Sequence, residues 1–409
     1  MEISSVPDQN EILRRENWLV YTLGAIQFVH ILDFVILMPL GPMLMRTFDV
    51  NPSEFGLLVS SYTFSAGIAN FLASIVADRF ERKTMLQVCF AGFIIGTLLC
   101  ALSPNFPMLL GARIVAGAFG GVLNALVLGL IPDLIPVERR GAATGVVMSS
   151  FSISSVVGVP IGLALAEWAD WHAPFLFIVA VGIIALIIAS AMIPKVNNRS
   201  EPRNAKDTLQ RFLRIAVDPR HIRGFLMTSF LAFGVFLIIP FISPAMVRNV
   251  GLAESDLKYI YLFGGAATVF SARLIGKLCD RLGCFRMFIT IACISFIPVM
   301  LITHLGQTPL ALALCVSTLF MMTGSGRFIP AMTLLSNVIE PKKRGTFMGL
   351  ENAFRQIASG ISSLIAGLII YESADGKLQN FGLVGIMCVV ATIFSLWFGH
   401  NIAKDAGVR

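Results

Sequence analysis

The sequence predicts an all-α membrane protein of about twelve transmembrane helices in two six-helix, pseudo-symmetric halves. Three observations predict it. The first is apolar length: of 409 residues, 56% are hydrophobic and only 13% charged, with a mean hydropathy of +0.80. That is too little polar surface for a chain of this size in water. The second is a one-sided distribution of Lys and Arg. The third is an internal repeat, in which Asp78 and Asp280 stand 202 residues apart and Arg140-Gly141 and Arg344-Gly345 stand 204 apart.

The apolar residues fall into runs of roughly 20 or more, the length a helix needs to cross a bilayer. They lie near 18–44, 53–77, 84–102, 107–132, 140–167, 172–194, 223–247, 255–279, 285–305, 308–337, 345–371 and 380–402, here segments 1 to 12. Strand-like alternation is absent, which argues against a β-barrel. Segment 1 is too long for a cleavable signal peptide, and no small-residue cleavage site follows it. With the N-terminus placed in the cytoplasm, 23 of the 31 Lys and Arg fall on the cytoplasmic side. Four fall outside (Arg46, Arg248, Lys258, Lys377) and four in the membrane. This positive-inside bias predicts a cytoplasmic (inner) membrane protein with both termini in the cytoplasm. The net charge of +7 then reflects topology and contact with anionic lipid rather than nucleic acid.

The two halves are expected at 1–194 and 223–409, joined by a cytoplasmic linker at 195–222. The stretch Lys195 to Arg223 holds eight Lys or Arg against three acids, with Pro202 and Pro219. Within it Leu209, Phe212, Leu213 and Ala216 recur at helical spacing, which fits a short helix on the inner leaflet as well as a plain solvated linker. Segments 1 and 7 share a proline pair, Pro39/Pro42 and Pro240/Pro244. Two parallel repeats about an axis normal to the membrane are a transporter plan. The seven cysteines form no disulfide or metal-ligand spacing, and no metal or cofactor is expected.

Four motifs resemble those of the major facilitator superfamily, in order along the whole chain. After segment 2 comes Asp78-Arg79-Phe80-Glu81-Arg82-Lys83, similar to that family's G-x-L-x-D-R-x-G-R-R/K loop, with its glycines substituted. The second-half copy, Gly276-Lys277-Leu278-Cys279-Asp280-Arg281-Leu282-Gly283, keeps the core of the pattern. Segment 4 carries Arg113 followed by Gly117, Gly120 and Gly121, resembling R-x-x-x-G. Segment 5 carries Gly158-Val159-Pro160-Ile161-Gly162, which resembles the G-x-P-x-G motif of drug and sugar exporters of the arabinose-efflux-permease-like group, without its doubled glycine. The resemblance implies a transporter with segments 1, 4, 7 and 10 around the cavity. It also implies a cytoplasmic gate drawn from Asp78, Arg79, Arg82, Asp133, Asp280 and Arg281, with Arg82 paired to a neighbour such as Asp133.

Six charges lie within the segments: Asp33, Arg113, Arg273, Arg327, Glu351 and Arg355. Charges at such depth are costly and are kept for function or as pairs. At about 1.5 Å per residue, Asp33 lies roughly 16 Å and Arg113 roughly 9 Å below the outer surface, within reach of each other. Arg327 and Glu351 lie roughly 15 and 10 Å from the inner ends of their segments. Glu351 is therefore expected to pair with Arg327 or with Arg355, one turn away. Arg273 is close enough to an end to snorkel. A carboxyl in apolar surroundings takes up a proton unless an arginine holds it ionised. Asp33 is thus the first candidate for a coupling proton, with Glu351 second and His30, on the Asp33 helix face, as relay or interior histidine. Gln27, Asn70, Asn124 and Asn352 are candidate polar groups in the substrate path.

These readings predict a secondary active transporter rather than an enzyme, most simply a proton-coupled exporter (antiporter) of a small organic molecule. The alternative is a proton symporter or facilitator that imports a small, possibly anionic, solute. The nearest approach to a P-loop, Ser271 to Leu278, lacks the first Gly and the final Ser/Thr, so the proton gradient is the expected energy source. The expected partners are the substrate, protons and the lipid bilayer, and the expected state is a monomer.

Overall fold

The computed structural model describes residues 9–76, 80–194, 210 and 214–405. Segment 1 is α1 (Gln9–Ile36), followed by the short α2 (Gly41–Phe48). Segments 2 to 4 are α3 (Pro52–Val76), α4 (Arg82–Ala101) and α5 (Phe106–Leu134). Segment 5 is split into α6 (Arg140–Ile153) and α7 (Val159–Trp168), and segment 6 is α8 (His172–Met192). Segments 7 to 9 are α9 (Pro219–Arg248), α10 (Leu257–Leu282) and α11 (Cys284–His304). Segment 10 is split into α12 (Leu310–Gly326) and α13 (Phe328–Val338), segment 11 is α14 (Pro341–Ile369), and segment 12 is α15 (Phe381–Asp405). Asp78, Arg79, Leu209, Phe212 and Leu213 lie outside the described residues. At the end of the linker, Ile215 is buried in a cluster with Phe225 and Phe347 of the second half.

Among the described residues, eleven helical stretches are long and apolar enough to cross a membrane, one fewer than the sequence suggested. The exception is α14, which has the length, 29 residues, but not the composition. Glu351, Asn352, Arg355, Gln356 and three serines lower its hydropathy. Glu351, Ser359, Ser362 and Ser363 are buried, because α14 packs along α3 and α9. Protein rather than lipid surrounds its polar side, which is where polar groups in a membrane segment are tolerated.

Three segments are not continuous helices, and each break has a local cause. Segment 1 turns at 37–40, where Pro39 and Pro42 supply no backbone N–H. Segment 5 widens into a π turn, Ser154–Gly158, just before Pro160, so the ladder absorbs the missing donor. Segment 10 breaks at Arg327, between α12 and α13, where Pro330 supplies no N–H to the Gly326 carbonyl. The turn joining α10 to α11 is Gly283 alone, at φ 92° and ψ 139°, a conformation open to glycine and strained for other residues. In the first-half copy Glu81 stands there at φ −62°, so that loop needs no glycine.

α1 and segment 5 run side by side at one constant register. The Ser150 hydroxyl donates to Gly24 O at 2.8 Å and Ser154 to Phe28 O at 3.2 Å. Four and eight residues on, a Cβ on Gly158 would stand 2.7 Å from Leu32, and one on Gly162 2.6 Å from Ile36. The two glycines of the antiporter-like motif are therefore the upper rungs of a small-residue ladder, the device that lets membrane helices approach closely.

The end of the bundle that carries both chain termini differs from the far end. At the far end ion pairs cross between halves: Arg46 of α2 with Glu254 at 2.5 Å, and Lys258 of α10 with Glu167 of α7 at 3.0 Å. There α3 and α14 touch through glycine, and a Cβ on Gly56 would lie 2.6 Å from Ser363 O. A short hairpin, β1 (Tyr371–Glu372) with β2 (Leu378–Gln379), caps this end. Arg248 pairs with Glu372 there, and the Asn249 side chain bonds both backbone groups of Leu378. At the terminal end the described ion pairs stay within a half: Arg82 with Asp133, Arg139 with Glu16, and Arg223 with Asp405. Among the described residues, the ion pairs that cross between the halves lie at the far end.

Candidate functional site

The first half holds a buried polar cluster built by four helices. α1 supplies Asp33 and α5 supplies Arg113, both fully buried. Arg113 Nη1 donates to Asp33 Oδ2 at 2.8 Å. Thr97 of α4 points its hydroxyl at Asp33 Oδ1, 3.1 Å away, and at its own Phe93 carbonyl, 3.0 Å away. Tyr62 of α3 lays its ring under the guanidinium, with Cζ 4.3 Å from the ring centroid, a cation–π contact worth about 2 kcal/mol when desolvated. The carboxylate thus has one charged and one neutral donor, and its counter-ion is pinned from a third side.

The R-x-x-x-G pattern acquires a structural meaning here. A Cβ on Gly117 would lie 2.4 Å from the Tyr62 carbonyl oxygen, and one on Gly120 2.5 Å from the Tyr62 hydroxyl. Glycine at the first position lets α3 approach α5 closely enough to stack Tyr62 on Arg113, one turn away. Glycine at the second leaves room for the tyrosine hydroxyl and for His30, whose ring would stand 3.2 Å from that Cβ. His30 sits edge-on to Phe93 at 5.7 Å between ring centroids, and its Nδ1 is buried without a partner. The Tyr62 hydroxyl is likewise unpartnered. Two buried, unpartnered polar groups therefore lie beside the ion pair.

The other sequence candidates fall into separate places. Gln27 Nε2 donates to Asn124 Oδ1 at 2.9 Å, so these two join α1 to α5 on the terminal side of Asp33. Asn70 reaches across the halves to Gly349 O at 3.4 Å. Of the residues expected to form a gate, Arg82 and Asp133 meet at 2.5 Å, and Arg82 also donates to Gly129 O at 2.8 Å. Asp280 and Arg281 are exposed at the end of α10, and Arg273 is exposed on the same helix.

In the second half Glu351 takes one of its two expected partners. Glu351 is buried and lies 3.2 Å from Arg355 Nε. Asn352 accepts from Arg355 Nη2 at 2.5 Å. Arg327, the alternative partner of matching depth, points instead to α15, where its Nη1 meets Thr392 Oγ1 at 2.7 Å. Depth along a helix says nothing of azimuth, and the break at Arg327 turns its side chain to a different neighbour. Tyr62, Thr97 and Thr392 were missed from sequence, because uncharged polar residues are common in such segments and carry no partner signal.

Replacing Thr97 with valine removes a hydrogen bond to a charged acceptor, worth about 1.5–3 kcal/mol. A lower melting temperature of the purified protein is the expected result. An unchanged melting temperature would mean that the hydroxyl serves Phe93 O alone.

Comparison with known proteins follows the same plan. A model of the Major Facilitator Superfamily matches residues 23–363 and 224–407. The uncharacterised MFS-type transporter YceJ of Bacillus subtilis (strain 168) is 25% identical over 397 residues, covering 95% of this chain and 96% of the relative. The quinolone resistance protein NorA of Staphylococcus aureus (strain COL) is 23% identical over 380 residues, 91% of this chain and 96% of the relative. Among solved structures, a bacterial homologue of the human lysosomal transporter Spinster, inward-facing and unoccupied, aligns with a TM-score of 0.78 at 16% identity. That alignment covers 96% of this chain and 98% of that one. A D-xylose–proton symporter aligns at 0.72 and 17% identity, over 93% of this chain and 96% of that one.

Proposed function

The chain belongs to the major facilitator superfamily, and from that premise we propose that it is a proton-coupled exporter of small organic molecules working by alternating access. The observation that carries this reading is the fully buried Asp33–Arg113 pair. Protonation of Asp33 cancels its attraction for Arg113. Loss of the proton restores it, so the pair has two states that differ by one proton and by the placement of two helices. His30 and Tyr62 flank the pair as groups through which a proton passes. The ladder, gate and hairpin surround this centre as a scaffold.

Both termini lie in the cytoplasm, in keeping with the basic loops, and the protein works as a monomer in the cytoplasmic membrane. The far end then faces outward. Cross-half ion pairs and glycine contacts close it, and the conformation is inward-facing. Export is favoured by the Gly158-Val159-Pro160-Ile161-Gly162 motif and by the likeness to a drug-resistance protein. The runner-up is a proton symporter, because Gly158 and Gly162 are both occupied by contact with α1, a packing role that is the same for either direction.

The test is proton movement in liposomes that contain the purified protein and an internal pH dye. A quinolone, an organic cation and an organic anion are added outside in turn. An antiporter exchanges entering substrate for a leaving proton, so the interior turns alkaline. A symporter turns it acid, and a facilitator leaves it unchanged. Acidification by the compound that is transported would overturn the export reading.

A further inference from the structure

Two arginines are fully buried among the described residues, Arg113 and Arg327. Only the first has a carboxylate. Arg327 has the Thr392 hydroxyl at 2.7 Å and the Cys388 thiol as neighbours, and both are neutral groups at physiological pH. Its Nε and Nη2 have no partner. Glu351, the acid at similar depth, is engaged with Arg355. An arginine does not give up its proton in a protein, and an unanswered buried charge is strongly unfavourable. The neutralising anion must therefore come from outside the described chain.

The local geometry suits one. Nε and Nη2 form one edge of the guanidinium, a planar fork that matches the two oxygens of a carboxylate. Thr392 holds the opposite corner and so leaves that edge presented. Arg327 is also the joint between α12 and α13. One turn earlier, on the same face, Gly324 is buried, yet a Cβ there would meet no atom within 4 Å. Unfilled space thus lies beside the helix break.

We propose that Arg327 is the seat for the carboxylate of the carried molecule, which makes an organic carboxylate the substrate class. This rests on the carrier reading above and deepens it. The bound oxyanion takes two N–H bonds from the free edge, and its charge replaces the counter-ion that the chain lacks.

The experiment is a thermal titration of the purified full-length protein, in a zwitterionic buffer of low ionic strength, with sodium acetate, sodium benzoate, sodium chloride and neutral benzamide. Acetate and benzoate should raise the melting temperature saturably, beyond the effect of chloride at equal ionic strength, and benzamide should not. Arg327→Gln should abolish the carboxylate response. It removes an unanswered charge, so it should fold at least as well as the wild type without anion. Arg327→Lys, which keeps charge but loses the fork, should need roughly tenfold more carboxylate. An Arg327→Gln protein that responds like the wild type would overturn the proposal. So would a wild type that answers carboxylates no more than chloride, since the site would then hold an inorganic counter-ion. Neither measurement reads proton movement, so the two readings fail separately. A wild type that binds acetate but moves no proton overturns the coupling and leaves the seat intact.

Discussion

Asp33→Asn should reduce substrate-driven proton movement in liposomes to the level of protein-free vesicles. Asparagine has nearly the shape of aspartate, and its one amide oxygen still accepts from Arg113 while its NH2 faces the Thr97 hydroxyl, but it cannot exchange a proton. The change also leaves Arg113 buried without its counter-ion. Breaking one side of a buried pair costs about 3–5 kcal/mol, somewhat less here because the amide oxygen still accepts a bond. The melting temperature should therefore fall together with coupling. Arg113→Gln should also destabilise. The double variant should recover part of the loss, because each single change strands the other's partner, and coupled residues of this kind depart from additivity by about 0.5–3 kcal/mol. Undiminished proton movement in Asp33→Asn would remove Asp33 from the mechanism. Strictly additive stabilities would mean that the 2.8 Å contact carries no net energy.

Gly56→Ala should tilt the protein away from the conformation described here. The added methyl would stand 2.6 Å from the Ser363 carbonyl oxygen and near Gly367, which is backbone and cannot swing aside. Both helices sit at the closed far end, where the halves must part for the opposite state. Overpacking of this kind costs about 1–3 kcal/mol. A cost of about 2 kcal/mol shifts a two-state population by roughly 30-fold. Spin labels on cysteines placed at Asn51 and Ala253, in a chain whose seven native cysteines are replaced, report the far-end separation. The expected result is a longer, dominant distance and slowed transport. Gly276→Ala is the control, since no atom lies within 4 Å of that Cβ. If the two variants give the same distances and rates, the glycine contact does not set the state.

Much of this architecture was legible because membrane segments obey few rules. Length gave the spans, and depth counted at a fixed rise placed Asp33 and Arg113 within reach of each other. The same counting left Arg327 and Arg355 as alternative partners of Glu351, because opposite sign and equal depth do not fix which way a side chain points around its helix. It could not find Tyr62, which glycines of α5 seat against Arg113, or Thr97, whose hydroxyl is one of many until it is seen beside Asp33. The polarity of α14 was visible, but its cause was not, since the serines on that face become intelligible only once α3 and α9 cover them. The turn at Gly283 and its replacement by Glu81 needed backbone angles to explain why one copy of the motif keeps the glycine and the other does without it.

The ladder between α1 and segment 5 has a mechanical consequence. Four rungs at a single register, one per turn, leave the two helices no freedom to slip along each other, so they behave as one strut. One edge of that strut touches the other half, where Ser155 and Val156 lie against Gly265 of α10. The same strut carries Asp33, adjacent in sequence to the Leu32 rung. On the coupling proposed above, a shift at that contact would reach the carboxylate through a pair of helices that cannot slip.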